Sequence, residues 1–193
     1  MFKARTIDSE PALYDAAVKI LSRRAHSVSD MKKALIRRTA DEDLIQKVLA
    51  RLKQNGLIDD ARYAKQFARQ RTEIRHQGKY RVARELRARG VPDRHIESAV
   101  EEAAANSDEA AMVRQRIERK LKSLLANPQS ESPSERSGHL QLGARASDLD
   151  QKKIASLYRT LLRAGFSSDT IRAELKRATK EDVPEVESQD ETQ

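Results

Sequence analysis

The stretch YRVARELRARGVPDRHIESAV at residues 80–100 has counterparts both before and after it in the chain. A forward shift of 75 positions aligns Val82 with Leu157, Leu86 with Leu161, Gly90 with Gly165, Val91 with Phe166, Ile96 with Ile171 and Val100 with Leu175. A backward shift of 51 positions aligns Leu86 with Leu35, Ile96 with Ile45, Ala99 with Val48 and Val100 with Leu49. The shifts differ by 24 residues, about the length of a polar, serine-containing stretch at 126–149. Without that stretch, one period of about 51 residues runs through the protein, which indicates stacked supersecondary units.

Each period contains three segments whose apolar residues recur at helical spacing, and no segment has the alternation typical of a strand. The predicted helix starts are Ser9 with Pro11, the capping boxes Ser27-x-x-Asp30 and Thr39-x-x-Glu42, Asp59 or Asp60, Pro92-Asp93, Ser107 and Ser168. The predicted glycine stops are Gly56, Gly90 and Gly165, while Gly78 is expected to break a helix. The sequence therefore predicts an all-α protein of nine helices in three tandem three-helix repeats.

The same pattern divides the chain. We predict an N-terminal tail at 1–9 and three-helix repeats at 10–58, 59–105 and 106–178. The third repeat is interrupted by a flexible insertion at about 126–149, which holds two prolines, two glycines and several serines. Residues 179–193 are predicted to be a disordered acidic tail.

Composition restricts the class of protein. The 193 residues are 38% hydrophobic and only 4% aromatic, without tryptophan, so several small aliphatic cores are expected. The absence of cysteine excludes disulfides, cysteine metal sites and a thiol nucleophile, and it suits a reducing compartment. Apolar runs are far shorter than the roughly 20 residues that span a bilayer, and residues 1–11 lack an apolar signal core. We expect a cytoplasmic protein without a membrane partner.

Charge is distributed unevenly. Residues 60–94 hold eleven lysines and arginines against four acids, whereas residues 179–193 hold six acids against Lys180 alone. A basic middle indicates a polyanionic or acidic partner, and the acidic tail is hypothesised to shield the basic surface. The alternative is an ordinary solvated helix surface, because lysine and arginine are good helix formers.

Candidate contact residues lie on two predicted helices. On the later helix, Val82, Ala83 and Leu86 point inward, which places Arg81 and Arg84 on the opposite side with Arg87 beside them. The predicted partner-binding set is Arg62, Lys65, Arg69, Lys79, Arg81, Arg84 and Arg87. The alternative is that these cations are solvated and pair locally with Glu73 or Glu85. Core packing is preferred over base stacking for Tyr63, Phe67 and Phe166, whereas Tyr80 is left open.

Patterns typical of catalysis are missing from the sequence. The histidines at 26, 76, 95 and 139 lack metal-ligand spacing and are expected on the surface. Asp59-Asp60 is interpreted as a helix cap, with Asp60 favoured, rather than as paired catalytic carboxylates. No phosphate-binding loop or nucleophile elbow is present. We predict no enzymatic activity, no cofactor, no metal and no small-molecule substrate.

Three motifs occur together: AVKILSRRAHS at 17–27, GLIDDARYA at 56–64, and GKYRVAREL at 78–86, the last continuing to Arg89-Gly90-Val91. With LRAGFS at 162–167, they resemble the RecX family, the regulatory proteins of bacterial RecA recombinase. The resemblance covers residues 12–125 and 150–178. The chain departs from the family pattern at Thr39, where a glycine stop is expected, and in the length of the insertion.

The resemblance implies an elongated, curved array of three-helix repeats that lies in the groove of the RecA filament on single-stranded DNA. It implies inhibition of the filament's ATPase, recombinase and coprotease activities, and thereby modulation of DNA repair and the SOS response. The expected partner is the RecA filament and the expected state is a monomer; weak non-specific DNA contact is left open.

Two other functions compete with this hypothesis. Residues 29–53 also fit a helix-turn-helix DNA-binding protein, with Gln46, Lys47 and Arg51 for base edges and Arg37, Arg38 and Lys47 for phosphates. A scaffold or adaptor is the other alternative, but the period of about 51 residues differs from the 34 of tetratricopeptide units.

Overall fold

The computed structural model describes residues 7–126 and 151–179, and these residues form helices without any strand. Within this part of the chain the helices are α1 (Glu10–Leu21), α2 (Val28–Ile36), α3 (Glu42–Gln54), α4 (Asp60–Glu73), α5 (Lys79–Ala88), α6 (Asp93–Ala105), α7 (Glu109–Ala126), α8 (Gln151–Arg163) and α9 (Ser168–Thr179). The predicted all-α fold is confirmed.

Two stretches of the predicted organisation lie outside the described residues. The insertion at 126–149 is described only at Ala126, the last residue of α7. The tail at 179–193 is described only at Thr179, which is the buried last residue of α9 and whose hydroxyl donates to the Leu175 carbonyl at 2.9 Å. The helix therefore extends one residue into the predicted tail.

The chain divides into two compact units. Unit 1 combines the residues up to Arg75 with Val82–Ser107, and unit 2 combines His76–Arg81 with the residues from Asp108 onward. Helix α5 contributes its first residues to unit 2 and the rest to unit 1.

Unit 1 contains two aliphatic cores. One is formed by α1, α2, α3 and the residue Ile58, and its buried members are Leu13, Ala17, Met31, Leu35, Leu44, Ile45, Val48, Leu49, Leu52 and Ile58. The other is formed by α4, α5, α6 and Val91, and its buried members are Tyr63, Ala64, Phe67, Ala68, Val82, Leu86, Val91, Ile96 and Ala99. Two small cores replace one large one, as the low aromatic content predicts.

Hydrogen bonds within unit 1 join these two three-helix groups. The Asp59 carboxylate caps its own helix α4 by accepting from the amides of Ala61 at 2.8 Å and Arg62 at 3.1 Å. The neighbouring Asp60 instead accepts from the Val28 amide at 2.9 Å, at the start of α2. The consecutive aspartates therefore cap helices in two different groups, and the prediction that favoured Asp60 as the cap of its own helix is wrong.

Ser27 makes the second connection between the groups. Its hydroxyl oxygen accepts from the Asp30 amide at 3.0 Å, as the predicted capping position requires, and donates to the Arg89 carbonyl at 2.7 Å. The Arg89 guanidinium returns a bond to the Asp30 carboxylate at 3.2 Å. A residue predicted as a local cap therefore also fixes the end of α5.

Other predicted helix ends are partly right. Gly56, Gly90 and Gly165 all have positive φ, which confirms the three glycine stops. The predicted caps Thr39 and Ser107 are wrong. Asp41 caps α3 by accepting from the Leu44 amide, and Asp108 accepts from the Ala111 amide at the start of α7. Thr39 is buried and its amide still bonds to Leu35, so α2 is only ending where the sequence predicts α3 to begin.

Unit 2 packs α7, α8 and α9 around Tyr158 and Phe166, both fully buried. Helices α7 and α9 run parallel, because Glu109 near the start of α7 accepts from the Ser167 amide at 2.9 Å and Arg114 farther along meets Glu174. The Arg114–Glu174 ion pair is bidentate, with both bonds at 2.9 Å, and the Glu174 side chain is 10% exposed.

This ion pair predicts how stability depends on pH. Hydrogen bonding to Arg114 holds the pKa of Glu174 below its ordinary value of 4.5, against the opposing effect of burial. A carboxyl with a depressed folded-state pKa stabilises the fold above its unfolded pKa, and this contribution disappears as pH falls through the folded value. Glu174→Gln should therefore lower the melting temperature at neutral pH and weaken its fall below pH 4.5.

Glu42 offers a matched control. Its pKa is also lowered, by the hydrogen bond from Lys32, but the Glu42 side chain is 55% exposed. Because solvent screens exposed pairs, Glu42→Gln should change the pH profile of thermal unfolding much less. Equal profiles for the two variants would contradict the structural importance of Glu174.

Candidate functional site

Three of the predicted contact residues lie exposed on α4, and each is already bound to a neighbour. Arg62 donates to the Gly56 carbonyl at 2.5 Å, and Lys65 pairs with Glu102 at 2.7 Å. Arg69 pairs with Glu73 at 3.0 Å, one of the local partners that the sequence suggested. Acids of α6 and α4 therefore neutralise Lys65 and Arg69, while Arg62 is held by a backbone carbonyl.

The predicted residues on α5 differ in exposure. Arg84 is exposed and has no hydrogen bond or ion pair within the described part of the chain. Lys79 is exposed with its ammonium 5.2 Å from the centroid of the Tyr80 ring, and Arg87 pairs with Asp93 at 2.8 Å. Arg81 is only half-exposed, although the sequence placed it on the outer face beside Arg84. The backbone of the turn at Gly165 packs against Arg81, which accounts for the difference.

The aromatic residues follow the predicted core packing. Tyr63, Phe67 and Phe166 are 8%, 9% and 1% exposed, respectively. The rings of Tyr63 and Phe67 are stacked with centroids 5.9 Å apart. Tyr80, which the sequence left open, is 59% exposed. Among the four, only Tyr80 presents a ring available to a partner.

A cleft in unit 1 brings together cations that sequence reasoning did not select. It has a volume of about 680 Å³ and is lined by Arg24, Ala25, Tyr63, Gln66, Phe67, Gln70, Arg75 and Arg89. The guanidiniums of Arg71 and Arg89 lie 4.7 and 5.0 Å from the Phe67 ring centroid. Burial in this environment raises the pKa of Tyr63. Arg24 lies in the motif at 17–27, and Arg89 lies in the Arg-Gly-Val turn. The sequence motifs therefore already contained two of the cations that line this cleft.

The helix-turn-helix alternative loses support from α3. Gln46 donates to Glu42 at 2.9 Å, and the Arg51 guanidinium bonds to Glu10 at 3.4 Å and lies 4.4 Å from the Tyr14 ring centroid. Two of the three side chains proposed for base edges are thus held against the protein, which leaves Lys47 exposed. Among the phosphate candidates, Arg38 donates to the Ala34 carbonyl at 2.8 Å.

The histidines correct one prediction. His26 is buried, with Nδ1 2.9 Å from the Arg24 carbonyl and Nε2 accepting from Arg24 at 3.2 Å, so its expected surface position is wrong. Its ring closes the turn between α1 and α2, a role that ligand spacing does not reveal. His139 lies outside the described residues. In 7–126 and 151–179 no group of three or more histidine, aspartate or glutamate residues is arranged to hold a metal.

Among residues 7–126 and 151–179, no helix combines the length and the apolar character needed to cross a membrane.

Comparison with known proteins identifies the family. Residues 14–52 match the first three-helix domain of RecX, and residues 59–100 match the second. The regulatory protein RecX of Halorhodospira halophila is 33% identical over 172 residues, which cover 89% of this chain and 91% of that protein. The chain belongs to the RecX family. The predicted family and its tandem three-helix domains are confirmed.

Further RecX proteins agree with this assignment. The regulatory protein RecX of Prosthecochloris aestuarii is 38% identical over 95 residues, covering 49% of this chain and 62% of that protein. The crystal structure of RecX from Lactobacillus salivarius has a TM-score of 0.63 at 19% identity, over 88% of this chain and 96% of that one. This structure shares the fold. The exact division into repeats at 10–58, 59–105 and 106–178 stays a prediction.

Proposed function

We propose that this RecX protein binds the RecA–single-stranded DNA filament and inhibits its recombinase, ATPase and coprotease activities. It thereby modulates DNA repair and the SOS response, as a monomer in the cytoplasm. The observation that carries the proposal is the 33% identity with a regulatory protein RecX over 89% of the chain.

We place the contact with the filament on the α5 surface, defined as Arg84 and Arg87 of unit 1. Arg84 is exposed and unpaired within the described residues, and the Arg87–Asp93 pair is exposed on both sides. An exposed ion pair contributes little stability, so Arg87 can exchange Asp93 for an anion of the partner. The Lys65–Glu102 and Arg69–Glu73 pairs of α4 are similarly exposed. The α5 surface is preferred because it holds Arg84, which has no partner in the described ranges.

The test measures RecA ATP hydrolysis on single-stranded DNA with substoichiometric amounts of this protein. Wild type should inhibit, and Arg84→Glu should need about ten times more protein for the same inhibition, the equivalent of about 1.4 kcal/mol. Lys47→Glu is the control, since Lys47, like Arg84, is an exposed cation of unit 1 with no partner in the described ranges. It should inhibit like wild type.

The other outcomes are equally informative. If Arg84→Glu inhibited as strongly as wild type, the α5 surface would be excluded as the contact site, and the proposed regulatory function would be retained. No inhibition by wild type, with one duplex sequence bound about 10³-fold more tightly than bulk DNA, would replace the proposal with the helix-turn-helix function.

A further inference from the structure

Unit 2 contains a second cleft, which we call the α7–α8 cleft. It has a volume of about 370 Å³ and is lined by Arg116, Arg119 and Lys120 of α7 and by Leu157, Thr160 and Leu161 of α8. One wall is therefore cationic, and the opposite wall is largely apolar. An acidic peptide with interspersed aliphatic residues matches both walls.

Three cations lie close together on the cationic wall. Arg116 is half-buried, with its guanidinium 5.5 Å from the Phe166 ring centroid. Burial lowers the pKa of Arg116, and the positive charges of Arg119 and Arg81 lower it further. Arg119 and Lys120 line the same wall, so an anion bound in the cleft would lie close to several positive charges.

The end of α9 lies level with this cationic wall. The pairs that join the parallel helices α7 and α9 are separated by 58 to 61 residues in sequence. Arg114 with Glu174, for example, is a separation of 60, and the same separation brings Thr179 level with Arg119. Thr179, the last described residue of α9, therefore lies at the same height along α7 as Arg119.

The residues that follow have the chemistry that the cleft requires. Residues 180–193 read KEDVPEVESQDETQ and contain six acids against one lysine, with Val183 and Val186 between the acids. Fourteen extended residues reach up to about 46 Å, and a helix is about 10 Å across. Reach therefore does not limit docking, and direct attachment gives the segment a high effective concentration at the cleft.

We propose that residues 180–193 dock in the α7–α8 cleft of their own chain, with carboxylates against Arg116, Arg119 and Lys120. Val183 and Val186 then face Leu157 and Leu161. The docked segment excludes other anions from this surface, which makes it an internal competitor for acidic or phosphate-bearing partners. This inference does not depend on the proposed contact with the RecA filament.

The absence of cysteine allows a direct test in the full chain. Ser156→Cys on α8 and Ser188→Cys in the segment provide one unique pair for two spin labels. At low salt the interspin distance should be short and narrowly distributed. It should become long and broad near 1 M salt, where the Debye length falls to about 3 Å, and also in the double variant Arg119→Glu, Lys120→Glu.

Matched variants separate specific docking from general charge attraction. Arg62→Glu with Lys65→Glu makes the same charge change on exposed residues of unit 1, and the short distance should persist. Replacing the six acids of residues 180–193 by their amides leaves α7 untouched and should abolish the short distance. The proposal would be overturned if the short distance were lost in the Arg62→Glu, Lys65→Glu variant but kept in the Arg119→Glu, Lys120→Glu variant. A broad distance distribution at low salt would overturn it as well. Because RecA is absent, neither result depends on the proposed function.

Discussion

Gly78→Ala is expected to destabilise unit 2 by about 3 kcal/mol, the upper end of the cost of overpacking. A Cβ at Gly78 would overlap the backbone of Gly165 and Phe166, which cannot rotate away as a flexible side chain can. The two segments are joined by backbone bonds, from the Gly78 amide to the Ala164 carbonyl at 2.9 Å and from the Tyr80 amide to the Gly165 carbonyl at 3.1 Å. Thermal unfolding should show a fall in melting temperature of about 6–12 °C.

Gly56→Ala is the control for this prediction. Gly56 also ends a helix and has a φ of +64°, but nothing lies within 4 Å of the position that its Cβ would occupy. Its substitution should cost only the strain of a left-handed alanine, about 1 kcal/mol. If the two variants unfolded at the same temperature, close backbone approach would not be the reason for glycine at 78.

The reason for glycine at position 78 is not predictable from the sequence. Its expected role was to break a helix, yet α4 already ends at Glu73. The need for glycine comes from Gly165, a partner distant in sequence, and periodicity carries no information about such an approach. Gly165 itself was predicted correctly as a helix stop because its positive φ is a local property.

Helix ends were predictable where a single candidate was present and ambiguous where two competed. Ser27 is the single candidate before α2, and it caps this helix as predicted. Thr39 and Asp41 both precede α3, and the burial of Thr39 at the end of α2 leaves the capping role to Asp41. Ser107 and Asp108 both precede α7, and there too the aspartate caps the helix.

The candidate contact residues were selected by charge, which a sequence reports well, but their pairing was not predictable. Lys65 is neutralised by Glu102 of another helix, and only the packing of α4 on α6 brings them together. The charge pattern does not single out Arg116, Arg119 and Lys120, because they lie outside residues 60–94, where the basic excess is concentrated. Their spacing of three and four positions places them on one side of α7, which is a signal that the sequence does contain.

Ser27→Ala is expected to destabilise unit 1 by about 2–3 kcal/mol. The variant loses the cap of α2, worth about 1 kcal/mol, and leaves the Arg89 carbonyl without its hydroxyl donor, worth a further 1–2 kcal/mol. The Ser27 side chain is fully buried, so water cannot replace either bond in place. Urea unfolding measures the loss of stability, and hydrogen exchange at the Asp30 amide should accelerate.

Ser29→Ala provides the control, because Ser29 lies on the same helix and makes no hydrogen bond within the described residues. Removing its hydroxyl should change stability by no more than about 0.5 kcal/mol. The difference between the two serines then measures the cap of α2 together with the bond to Arg89, and the part above about 1 kcal/mol reports the connection between the two three-helix groups. If Ser27→Ala cost as little as Ser29→Ala, the bond from Ser27 to Arg89 would add nothing to unit 1. Its groups would then be held by Asp60 on Val28 and by Arg89 on Asp30.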